Sequence, residues 1–159
     1  MRKPFLLMAV VWAIGFGMGN AFWYLASPMW TDRVVSEQIV SADRFSELKA
    51  GQFKDANSSH RGKGTATINQ SGNGELIVSL TDFEVTNGPD LKVYAVENSE
   101  IKNADSVLQS RYVSLGVLKG NIGNQNYRLP ADVGFEVGSI VIWCEQFSVL
   151  FSAATMKSI

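Results

Sequence analysis

One sulfur and one imidazole are the obvious chemical groups of this chain. Cys144 is its only cysteine and His60 its only histidine. A lone cysteine excludes an internal disulfide, and a lone histidine excludes the usual zinc clusters. As a thiolate, Cys144 could ligate haem iron or a soft metal, or exchange electrons through a transient mixed disulfide. It could equally be a small core hydrophobe, because Ile142, Trp143 and Phe147 flank it and apolar surroundings disfavour a thiolate. His60 is the second ligand candidate, although it stands in a polar stretch where exposure is the default. Asp90, with Asp82, could build a small polar site at the Asn87-Gly88-Pro89-Asp90 turn, or Asp90 could simply bond backbone amides and hold that turn. Tyr94, Tyr127 and Trp143 could stack on a ligand or pack a core. No GxSxG, HExxH, CxxC, CxxCH or P-loop pattern occurs, so no constellation of a classical enzyme is visible.

The elements that must position these groups are short and β-like. Ser139–Thr155, SIVIWCEQFSVLFSAAT, carries Cys144. Ile140, Ile142 and Cys144 share one face of an extended chain, and Val141 and Trp143 the other, so an interior strand is expected. Glu145-Gln146 lacks tight-turn chemistry, which leaves a wider bend or a bulge before Val149 and Phe151. Gly64–Asn69 and Glu75–Thr81 flank Ser71-Gly72-Asn73-Gly74 and predict a hairpin. Leu91–Val96 alternates Leu91, Val93 and Ala95 against Lys92, Tyr94 and Val96. Tyr112–Leu118 and Gln125–Leu129 are further strands, Asn98–Arg111 and Lys119–Asn126 are loops, and Gln52-Phe53 is a short first strand. Many short strands separated by Gly, Asn and Pro predict an all-β domain over residues 51–159, a sandwich or barrel.

Before it come two other textures. Pro4–Thr31 contains no charge and follows Arg2 and Lys3. As a helix it would span roughly 40 Å, enough for a bilayer core of about 30 Å. Trp23, Tyr24 and Trp30 would form an aromatic belt at its far end. Residues 1–31 are therefore expected to be an uncleaved transmembrane signal-anchor. Arg2 and Lys3 would keep the N-terminus cytoplasmic and place the domain in the periplasm or outside the cell. Residues 32–50 read as a juxtamembrane linker with a short helix near Asp43–Lys49, ended by Gly51. Setting aside Arg2 and Lys3, 12 of the 14 basic residues face all 15 acidic ones. That balance excludes the basic footprint of a nucleic-acid binder.

Three blocks together resemble the DM-thirteen (electron-transfer DM-thirteen) domain family. They are HRGKGTATI at His60–Ile68, LTDFEVTNGPDLKVYAVE at Leu80–Glu97, and LGVLKGNIGNQNYRLP at Leu115–Pro130 followed by VIWCEQFSVLFSAA at Val141–Ala154. The resemblance covers roughly Gly51–Thr155. It implies an antiparallel β-sandwich outside a membrane, in a family whose domains accompany DOMON domains, some of which bind haem or sugar. It also implies a redox or haem-ligand role for the cysteine matching Cys144, with haem as the cofactor to look for. Two functions follow as expectations. One is a membrane-anchored redox accessory using Cys144 with an envelope partner. The other is a non-catalytic ligand- or protein-binding module with a buried structural cysteine.

Overall fold

In the computed structural model, which describes residues 2–27, 30–39 and 45–159, the uncharged run forms one helix, α1 (Arg2–Ala26). Pro4 stands in its first turn, where the missing N–H breaks no helical bond. Pro4–Ala26 is long and apolar enough to cross a membrane, and none of it is buried in the protein. At its far end the rings of Trp23 and Trp30 meet at 6.1 Å.

Among the described residues ten strands and one short helix follow. They are β1 (Val34–Ser36), β2 (Phe45–Asp55), β3 (Gly62–Ser71), β4 (Leu76–Val85), β5 (Leu91–Val96), α2 (Ala104–Leu108), β6 (Tyr112–Val117), β7 (Ile122–Leu129), β8 (Ser139–Cys144), β9 (Val149–Thr155) and β10 (Lys157–Ser158). The strands run β1-β7-β4-β3-β2-β9-β8-β5-β6, with β10 also on β2. The all-β class and the apolar N-terminal helix are as the sequence indicates. In place of the two separate antiparallel sheets of a sandwich there is one curled sheet, mixed because β1 pairs with β7 in parallel.

The curl follows from β2. Its Phe45–Gln52 part pairs with β3, and Phe53–Asp55 pairs with β9, so one strand serves both halves. The halves close over a shared core, with Ile68, Val78 and Leu80 from one and Val93, Ile142 and Phe151 from the other. On the opposite face of β5 and β8 a second core gathers Tyr94, Val96, Val141 and Trp143 with Val107 of α2. The two-sided alternation read in Leu91–Val96 and Ser139–Cys144 thus fills two cores. The Ser71–Gly74 hairpin is also as expected, with Gly74 in the left-handed region. At Gly64 (φ +105) the β3–β4 register slips, and a Cβ there would lie 2.7 Å from the Phe83 Cα.

Three local expectations are corrected. The linker helix is not formed: Phe45–Lys49 belongs to β2, where β3 supplies backbone partners, and Asp43-Arg44 lies outside the described residues. The Lys119–Asn126 loop is mostly strand, because β1 lends β7 a parallel partner at Ile122–Asn124. The Asn98–Arg111 loop contains α2, capped by Asn103, whose side chain accepts the Ser106 N–H at 3.0 Å.

The segment between α1 and β2 is tied to the sheet over residues 32–37. The Asp32 carboxylate accepts from Asn121 (2.8 Å) and Asn87 (2.9 Å). Glu37 takes the Lys119 ammonium at 2.7 Å and the Asn126 N–H at 2.8 Å.

Candidate functional site

Ser139–Thr155 resolves into β8, a turn and β9. Ser148 takes a left-handed φ of 52°, unusual for a non-glycine residue, and lets the chain reverse without a glycine. β8 is interior, between β5 and β9, and all six of its residues are buried. Cys144 is a free thiol, 1% exposed. Across the sheet it faces Leu91 of β5 and Val149 of β9, and its side chain belongs to the shared core with Ile142 and Phe151. Thiol exchange requires a partner sulfur to reach the attacked atom, and this packing seals it.

The other two candidates do not complete a ligand set around the sulfur. The His60 ring lies 4.3 Å from that of Phe151, and its Nδ1 is 3.0 Å from the Asn57 amide nitrogen. His60 therefore sits at the rim of the core that holds Cys144, engaged by Asn57. Asp90 acts through its backbone, its carbonyl accepting the Glu145 N–H at 3.0 Å. The side-chain bond tying the Asn87–Asp90 turn comes instead from Asn87 to Asp32. Asp82 stands apart, exposed in a bulged stretch of β4, with its N–H donated to Asn124. Among the described residues no three His, Cys, Asp or Glu side chains gather into a metal-holding group. A haem ligated by Cys144 needs an open face on the sulfur, and the packed core around it does not fit one.

Asp90 also lines a cavity of about 440 Å³ with Gly88, Leu91, Val117 and Asn121, walled on one side by Ser27 and Thr31 beyond α1. The cavity joins the end of the membrane-length helix to the edge of the domain.

The opposite face of β8 carries a second constellation. Trp143 (3% exposed) stacks with Tyr94 at 6.4 Å, and Tyr94 (5% exposed) stacks with Tyr112 at 5.1 Å and an interplanar angle of 10°. Tyr112 opens the stack to solvent at 45% exposure. The Tyr94 hydroxyl donates to Glu145 Oε2 at 3.2 Å, and Glu145 is ion-paired with Lys92. Burial and the neighbouring Glu145 carboxylate push the Tyr94 phenol up to about 12. The Lys92 hydrogen bond holds the Glu145 carboxyl below its ordinary value. Tyr94 and Trp143 thus meet as foreseen, but Tyr127 is elsewhere. Its hydroxyl donates to Gln125 Oε1 at 2.7 Å and accepts the Lys119 N–H at 2.9 Å. Tyr112, Lys92 and Glu145 were not singled out in the sequence. The available signal was the alternation in LKVYAV, which puts Lys92 and Tyr94 on one face.

No curated protein and no solved structure matches the chain significantly. The model of the family described as Electron transfer DM13 matches residues 52–156. The match takes in the end of β2, all of β3–β9, and His60, Asp90, Tyr94 and Cys144. Spanning well over half of the sequence, it establishes that the chain belongs to the DM13 electron-transfer family.

Proposed function

We propose that this chain is a membrane-anchored electron-transfer accessory, with α1 in the bilayer, the β domain on the outer side, and Cys144 as its redox atom. The observation that carries the reading is a free thiol in the interior strand of a domain belonging to an electron-transfer family. A helix of membrane length supports the anchor, and Arg2 and Lys3 before its uncharged run support an inward N-terminus. With a single cysteine, disulfide chemistry involves an outside thiol. Burial then requires the β8–β9 end to open locally before that partner can react.

The same burial favours a second reading, a binding module in which Cys144 is core packing. The full-length chain in detergent micelles separates the two. The redox reading expects native protein to gain a reducible glutathione adduct in oxidised glutathione buffer, and Cys144→Ala to lose it. A native thiol that reacts only after denaturation supports the structural reading and sinks the redox one. For placement, protease added to intact spheroplasts is expected to digest the β domain. Protection of the domain until lysis would contradict an outward orientation.

A further inference from the structure

We propose that Tyr94 is a redox-active tyrosine, which passes an electron outward through Tyr112 and its phenolic proton to Glu145. The inference rests on the electron-transfer reading of the domain but not on Cys144, whose side chain enters the opposite core.

Three features of the geometry carry it. First, the rings are in stacking contact from the buried Trp143 through Tyr94 to the half-exposed Tyr112, with centroid steps of 6.4 and 5.1 Å. Each electron step is then a short one between neighbouring π systems. Second, a phenol that loses an electron becomes a strong acid, and its oxidation is easy only if a base waits at the hydroxyl. Glu145 Oε2 is 3.2 Å away and is held there by its ion pair with Lys92 and by its N–H bond to Asp90. Third, Tyr94 is buried, which shields a radical from water and from coupling with a second molecule.

Tyr127 provides an internal comparison. It is buried as deeply, but its hydroxyl donates to the Gln125 amide oxygen, which is no base, and among the described residues no aromatic ring pairs with it to lead to the surface. Among the described residues the combination of stack, base and exposed terminus belongs to Tyr94.

The step balances as follows. A one-electron oxidant at Tyr112, such as an oxidised metal complex, is reduced by one electron. The Tyr94 O–H bond breaks, its proton passes to Glu145 to give the carboxylic acid, and a neutral tyrosyl radical remains. A one-electron reductant at the same ring reverses every movement.

The test uses the full chain in micelles with photogenerated ruthenium(III) tris-bipyridine as oxidant and persulfate as the electron sink. Radicals are followed by transient absorption and electron paramagnetic resonance. The wild type is expected to give a long-lived neutral tyrosyl radical that Tyr94→Phe removes, with far-ultraviolet circular dichroism unchanged. Tyr112→Leu and Glu145→Gln should each slow its formation about tenfold or more. In Glu145→Gln the rate should also become dependent on buffer base. A long-lived radical that survives Tyr94→Phe, or one that vanishes in Tyr127→Phe, overturns the assignment. Should Tyr94→Phe fail to fold, Glu145→Gln decides, because an unchanged rate there removes the proton acceptor from the scheme. Cys144→Ala distinguishes this inference from the sulfur reading. A radical retained without the glutathione adduct leaves Tyr94 standing alone, and an adduct formed by wild type that yields no radical leaves only Cys144.

Discussion

The buried hydroxyl of Ser139, at one end of β8, has no hydrogen-bond partner among the described residues, while at the other end Cys144 fills an apolar site. Opposite responses to substitution follow. Ser139→Ala removes an unsatisfied polar atom and is expected to stabilise the domain by roughly 1 kcal/mol. Cys144→Ser buries a new hydroxyl in the hydrocarbon core and is expected to cost about 1–3 kcal/mol. Thermal unfolding of the two variants should show melting points moving apart. The buried tyrosines supply a second measurement. Burial first, then Glu145, holds the Tyr94 phenol up to about 12, and burial does the same for Tyr127. A raised folded value means the protonated form is favoured by folding. The associated stability is fully present below the ordinary 10.0 and is lost as pH rises through about 12. Ultraviolet titration should show two tyrosines ionising late, and Tyr94→Phe should remove one of them. At this scale Cys144 was legible as a residue but not in its surroundings. The alternation around it named the faces, whereas the identity of the neighbours depends on strands β5 and β9 that only folding brings alongside.

At the scale of elements, the least expected piece is β1. Three residues long and flanked by charge, it has no pattern of its own, and its partner is β7, far along the chain. Close approach requires Gly123, in the left-handed region at φ +100, where any Cβ would run into the Val35 carbonyl. Gly123→Ala is therefore expected to cost at least about 1 kcal/mol and to free β1, read as faster hydrogen exchange at Val34–Ser36. Acid should loosen the same segment. Hydrogen bonds from Asn121 and Asn87 hold Asp32 below its ordinary 3.8. Burial pushes Glu37 up, but bonds from Lys119 and Asn126 outweigh it and bring it below 4.5. Both folded values are depressed, so the stabilisation is complete above about pH 4.5 and disappears as pH falls through them. Exchange at residues 32–37 should rise in acid before that of β8, and Lys119→Gln should flatten the Glu37 part of the response. The hairpin at Ser71–Gly74 was legible because Gly and Asn announce their turn locally. Phe45–Lys49 and Ile122–Asn124 were not, since distant partners decide that they are strands.

For the whole molecule, β2 is the junction at which both halves of the sheet meet. Gly51 lies where β10 and the end of β9 cross it, and a side chain there would strike the Thr155 carbonyl and reach Met156 Sδ at 3.2 Å. Gly51→Val is expected to lower the melting point of both halves together. Far-ultraviolet circular dichroism and near-ultraviolet signals from the Tyr94–Trp143 stack should trace one coincident transition, as two-state unfolding requires. Separate transitions would show that the halves unfold independently. The sealing of Cys144 has its own consequence in any oxidising medium. A chain whose β8–β9 end has stayed closed keeps its thiol, whereas one that opens there beside another opened chain can be cross-linked to it through sulfur. The fraction of covalent dimer on a non-reducing gel would then work as a counter, recording past excursions from the native state after the molecules have been returned to mild conditions.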